Sequence, residues 1–120
     1  MKLLIVDDSL IMRRAVERAV SGNPRFTEVR FAVNGRAALD EFARFQPDFV
    51  TMDITMPEMD GIMAVEAIKS RNRSARILIV SALADRETAI EAIKKGAQGF
   101  LLKPVTADSL IEAIDDIMSP

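Results

Sequence analysis

Three short runs, Leu3-Leu4-Ile5-Val6, Phe49-Val50-Thr51-Met52 and Ile77-Leu78-Ile79-Val80, are too apolar for a surface and too short for helices. Such runs read as strands buried on both faces, the pattern of a parallel sheet covered by helices. Helical spacing fills the chain between them. Met12, Ala15, Val16, Ala19 and Val20 recur after Asp7-Asp8-Ser9, which breaks the first strand and can cap a helix; Ser21-Gly22-Asn23-Pro24 ends it. Ala38, Leu39, Phe42 and Phe45 follow a turn at Asn34-Gly35 and stop before Pro47. Ile62, Val65 and Ile68 follow Asp60-Gly61. A fourth helix carries Ala89, Ile90 and Ile93 behind an Asp85 cap, with Lys94-Lys95 in its last turn and Gly96 just beyond. The last carries Leu110, Ile111, Ile114 and Ile117 behind Thr106.

Two further segments complete the alternation. Val29, Phe31 and Val33 alternate with Arg30 and Ala32, so this strand is expected half exposed at a sheet edge. Gly99-Phe100-Leu101-Leu102 is a short strand at the other edge. Five strands alternating with five helices predict an α/β fold: one parallel sheet with helices on both faces. Right-handed crossovers and central placement of the most apolar strands give the order 2-1-3-4-5, the doubly wound, flavodoxin-like arrangement. Residues 1–120 are expected to form one domain, which 120 residues suffice to pack around a core.

Composition then narrows the chemistry. The chain has no cysteine and no histidine, so disulfides, thiolate metal sites, imidazole bases and His-based triads are all excluded. Any chemistry falls to carboxylates, hydroxyls, lysine or a hard metal ion. A formal net charge of −2 with interspersed signs argues against nucleic-acid binding through this domain. No apolar stretch reaches the ~18 residues of a membrane span, and Met1 to Val6 runs into Asp7-Asp8 too soon for a signal peptide. A soluble cytoplasmic protein is the expectation.

The first polar residues after the apolar runs are Asp7 and Asp8, Asp53, Ser81 and Lys103, contributed by four different strands. Parallel strands place these lips on one edge, with neighbouring strands ~4.8 Å apart. Two carboxylates ~5 Å apart repel by roughly 3 kcal/mol at an effective dielectric near 20, so such a cluster calls for a cation. Oxygen-only ligands suit Mg²⁺, which accepts substrate phosphate oxygens as well. A carboxylate beside it can attack phosphorus, while Lys103 and the hydroxyl of Ser81 meet the other equatorial oxygens. These residues fit an aspartyl phosphate on Asp53.

The same residues resemble the receiver domains of two-component response regulators over essentially the whole chain. The likeness rests on Asp7-Asp8, Asp53 with Met56-Pro57-Glu58-Met59-Asp60-Gly61, Ser81-Ala82, Phe100, and Lys103-Pro104. The stretch from Thr51 to Gly61 and Met12-Arg13-Arg14 are most like the stand-alone chemotaxis regulators. The resemblance implies that Asp53 takes a phosphoryl group from a sensor histidine kinase, and that the backbone carbonyl of Thr55 joins Asp7, Asp8 and Asp53 around Mg²⁺. It implies a cis Lys103-Pro104 bond and a switch in which Ser81 moves toward the phosphoryl group and Phe100 rotates behind it. Phe100 departs from the family's frequent tyrosine and has no hydroxyl to expose. The implied partner surface is the fourth helix, fifth strand and fifth helix, including Arg86, Lys94, Lys95 and Phe100. A flagellar motor switch protein or a phosphatase would dock there. The chain would act as a monomer or a phosphorylation-dependent dimer, and as an enzyme only in its own phosphorylation and dephosphorylation.

Other readings compete. Taken singly, Asp7-Asp8 is a turn and cap, Ser81 a strand-end hydroxyl, Lys103 a solvated lysine and Phe100 core packing. A haloacid-dehalogenase type phosphatase also forms an aspartyl phosphate, but a second acid would be expected at Thr55. A flavin or nucleotide module needs a phosphate loop after the first strand, where Asp7-Asp8 would repel an anion. A receiver that has lost phosphorylation would not be expected to keep the acceptor, acid pair and lysine. A receiver cut from a larger DNA-binding or enzymatic regulator stays open.

Overall fold

The computed structural model describes residues 1–54, 60–82 and 86–119. Strand and helix alternate throughout, as β1 (Lys2–Val6), α1 (Leu10–Val20), β2 (Glu28–Ala32), α2 (Gly35–Phe45), β3 (Phe49–Met52), α3 (Gly61–Arg71), β4 (Arg76–Ser81), α4 (Arg86–Lys95), β5 (Gly99–Leu102) and α5 (Ala107–Met118). The strands pair in parallel in the order β2-β1-β3-β4-β5. This is the doubly wound, flavodoxin-like sheet expected from the apolar runs.

Strand alternation splits the core into two layers. Leu4, Val6, Val50, Met52, Ile77 and Ile79 face α2, α3 and α4, which contribute Ala38, Phe42, Ala64, Val65, Ile68 and Ala92. Leu3, Ile5, Phe49, Leu78 and Val80 face α1 and α5, which contribute Val16, Val20, Leu110 and Ile114. Helices start where strand-end polar residues cap them. Ser9 accepts a hydrogen bond from the Met12 N–H, Asn34 from Ala37, Asp60 from Met63, and Thr106 from Ser109 in a reciprocal capping box. The expected cap at Asp85 lies outside the described residues. Gly96 ends α4 at φ 124°, a conformation that favours glycine, and the stem of Lys69 packs where a side chain would project.

Two surfaces depart from the simplest reading of periodicity. In β2 the fully buried residue is Ala32, whereas Phe31 is 38% exposed. The layer under α1 reaches Val29 and stops there, so Phe31, the next residue on that face of the edge strand, is left exposed. On the other face Arg30 lies over the ring of Phe45, 5.0 Å from its centroid. In α4, the residue that docks is Ala92, while Ile90 and Ile93 are 42% and 47% exposed. A small side chain is what α4 sends into the core layer beside α3, and its isoleucines turn outward.

Candidate functional site

The last rungs of the strand ladders fix the residues of the C-terminal edge. Asp7 donates its N–H to the Ala32 carbonyl (3.1 Å), Asp53 to Val6 (2.9 Å) and Lys103 to Ser81 (2.8 Å). The backbone of each lip residue is therefore held by the neighbouring strand, while its side chain projects beyond the ladder. Asp7 and Lys103 continue the parity of Ile5 and Leu101, and Asp53 that of Phe49, all on the α1–α5 face. Ser81 continues the parity of Ile77 and Ile79 on the opposite face.

Asp7, Asp8 and Asp53 offer carboxylate oxygens that all lie within 4.8 Å of one another. Asp7 and Asp53 are buried, at 3% and 5% exposure, and Asp8 is exposed. The Lys103 ammonium enters this cluster, 2.7 Å from Asp7 Oδ2 and 3.7 Å from Asp53 Oδ1. Three carboxylates thus face one ammonium. The remaining negative charge, the hard oxygen donors and the absence of any cysteine or histidine in the chain suit Mg²⁺. Asp7 is tied on every side: its Oδ1 accepts the Ser9 N–H at 2.9 Å, and its carbonyl accepts Arg13 Nη1 at 2.8 Å.

Of the expected site residues, Asp7, Asp8, Asp53 and Lys103 are brought together. Thr55 lies outside the described residues. Ser81 is fully buried at the end of β4. Phe100 is half-buried against the same core layer, and its register partner on β4 is Ile79, two residues before Ser81. The Lys103-Pro104 bond is cis.

Two contacts were not anticipated. One is the Arg13 hydrogen bond; an arginine six residues after Asp7, one turn into a helix, was its only trace in the sequence. The other is at Gly61, which donates its N–H to the Ile54 carbonyl at 2.8 Å. A Cβ there would lie 2.1 Å from the Asp53 carbonyl oxygen and 2.7 Å from Ile54 Cα. These are backbone atoms and cannot swing aside, so Gly61→Ala must displace the segment that carries the Asp53 carboxylate. The expected cost is about 1–3 kcal/mol of stability, with slower phosphoryl acceptance in the fraction that folds. Urea unfolding and a labelling time course measure the two separately; wild-type values in both would show that the contact has no such role.

A doubly wound five-stranded sheet carrying an acid cluster and a lysine on its C-terminal edge defines a receiver. The chain belongs to the response regulator receiver domain family, whose profile matches residues 3–115. It is 42% identical over 118 residues to the chemotaxis protein CheY of Bacillus subtilis (strain 168), covering 98% of each chain. It is 39% identical over 118 residues to a protein-glutamate methylesterase/protein-glutamine glutaminase of Nocardioides sp., covering 97% of this chain and 32% of that one. Among solved structures, the CheX-CheY-BeF3-Mg²⁺ complex from Borrelia burgdorferi aligns with a TM-score of 0.95 at 28% identity, over 100% of this chain and 90% of that chain. The chain is thus a CheY-like receiver domain.

Proposed function

We propose that this receiver is a phosphorylation-activated switch that accepts a phosphoryl group on Asp53 from the phosphohistidine of a sensor histidine kinase. The carrying observation is the placement of the Asp53 carboxylate within 4.8 Å of two further acids and 3.7 Å from the Lys103 ammonium. One Asp53 oxygen forms the new P–O bond as the donor's P–N bond breaks, and the leaving imidazole keeps the electron pair. Lys103, already beside Asp53, neutralises charge on the transferring group. Asp7, Asp8 and Asp53, with the Thr55 carbonyl, would hold Mg²⁺. When bound, the ion shields phosphoryl oxygens and acid cluster from each other. The Borrelia structure, a complex with BeF3 and Mg²⁺, supports that choice of ion. The direct test is transfer from a phosphorylated histidine kinase with Mg²⁺ present. One phosphoryl adduct that hydroxylamine removes is expected of an acyl phosphate; no adduct, or a hydroxylamine-resistant one, overturns the assignment.

The output follows from the neighbours of Asp53. A phosphoryl group there offers acceptor oxygens to the Ser81 hydroxyl, and Phe100 repacks on the same sheet face. The resulting change is read on α4, β5 and α5. This surface exposes Ile90, Ile93 and Leu102 beside Arg86 and Lys94. Lys95 is already engaged by Glu66 at 2.8 Å, and that hydrogen bond holds its ammonium above the ordinary lysine value. Lys94→Glu is therefore expected to slow partner association severalfold and to change its salt dependence, more than Lys95→Glu does. Equal effects at both positions, measured by association kinetics at two salt concentrations, would contradict this.

The kinship with CheY proteins favours a cytoplasmic chemotaxis regulator acting on the flagellar motor switch, with a phosphatase as a second partner; the Borrelia relative's complex with CheX is one precedent for a protein partner. The Nocardioides relative, three times the length matched, favours the second reading, a receiver joined to an output domain.

A further inference from the structure

We propose that Arg13 is a positioning residue that aims Asp8 at the acid cluster by holding the Asp7–Asp8 peptide plane; this rests on the reading of that cluster as a Mg²⁺ site. Asp8 is the exposed acid of the three, and among the described residues its carboxylate makes no hydrogen bond or ion pair of its own. With no partner on the side chain, what is fixed is the direction of its Cα–Cβ bond, set by the backbone on either side. Before it, the Arg13 guanidinium donates to the Asp7 carbonyl at 2.8 Å. After it, the Arg13 N–H donates to the Ser9 carbonyl at 2.9 Å. The second is the first backbone bond of α1, which any residue with an N–H would make there; the bond to the Asp7 carbonyl is what the Arg13 side chain itself adds.

The Asp7 carbonyl and the Asp8 N–H belong to one planar unit, so fixing the oxygen fixes the plane from which the Asp8 Cα projects. The other attachments of Asp7 do not end on that carbonyl, and of them only the Ser9 N–H bond, which closes a turn across Asp8, also restrains the plane. Its N–H bond to Ala32 lies on the preceding peptide, and the Ser9 and Lys103 contacts end on its side chain. A cation this near the start of α1 gains nothing from the helix dipole, and the first turn of α1 contains no acid to offset it. The carbonyl bond gives the guanidinium a reason to sit there.

The test is a double-mutant cycle on Mg²⁺ affinity, measured by calorimetry with MgCl₂ alone and the full chain. Arg13→Met keeps the stem and removes the donors; Arg13→Lys can still reach the carbonyl. Arg13→Met is expected to weaken Mg²⁺ binding about tenfold, the scale of lost outer-shell support for a metal ligand, and Arg13→Lys to recover most of it. In an Asp8→Asn background the same Arg13→Met change should cost little, because the ligand it aims is gone. Unchanged or tighter binding by Arg13→Met overturns the proposal, since the guanidinium would then act as a nearby charge or not at all. An equal loss with and without Asp8 also overturns it. If Arg13→Met does not fold by circular dichroism, Arg13→Leu, which also lacks a donor, takes its place in the cycle. Wild-type protein that fails to bind Mg²⁺ would overturn the metal site itself, an outcome distinct from an intact wild-type site indifferent to Arg13.

Discussion

Asp53→Asn is expected to abolish phosphorylation by a small acyl-phosphate donor with Mg²⁺, so that intact-mass analysis finds no phosphoryl adduct where wild type gains one. The amide oxygen is a poor nucleophile, and neither neighbouring acid is placed to substitute. Asp7 has one carboxylate oxygen on the Ser9 N–H and the other on Lys103. Asp8 is exposed at the edge of the cluster. Loss of fold would not explain the result. Replacing one of three mutually repelling acids relieves like-charge repulsion, so the variant should resist urea at least as well as wild type in the absence of Mg²⁺. A persistent adduct on the folded variant would remove Asp53 from its proposed role.

Lys103→Ala carries the second large effect. The ammonium lies 2.7 Å from the buried Asp7 carboxylate and 3.7 Å from Asp53, and it is the one cation paired with the cluster among the described residues. Removing one partner of a buried pair leaves the other charge uncompensated, so a loss of about 3 kcal/mol is expected without divalent ions. Saturating Mg²⁺ should recover more stability in the variant than in wild type, because the added charge takes over the neutralising role of the ammonium. Mg²⁺ binding itself should survive, since every acidic ligand remains. The phosphorylated variant should fail to switch, having lost the group that couples the phosphoryl oxygens to the end of β5. Urea unfolding with and without Mg²⁺ tests the first half; partner binding by the phosphorylated variant tests the second. Wild-type behaviour in both would leave Lys103 an incidental neighbour.

Much of this site was legible before any tertiary contact was known. Apolar runs ending at Asp7, Asp53, Ser81 and Lys103 state where strands stop, and parallel order then brings those ends to one edge. Helix starts at Ser9, Asn34, Asp60 and Thr106 were equally readable, because a cap is a local hydrogen bond between a side chain and the backbone two or three residues on. The faces of β2 and α4 were less so. An alternating or helical pattern gives the period of an element but not how far its neighbour extends. Cover by α1 ends at Val29, and the docking face of α4 is set by Ala92, not by its isoleucines.

By itself, then, the sequence determined the elements, their parallel order and the acid, hydroxyl and lysine inventory of one edge, because these follow from local periodicity, turn chemistry and crossover handedness. Only the tertiary structure decided that Lys103 sits closer to Asp7 than to Asp53, that Arg13 holds the Asp7 carbonyl, and that Gly61 lies against the Asp53 backbone. Those are meetings of groups between 6 and 96 positions apart, fixed to within an ångström by packing. No pattern in a single chain carries information that fine.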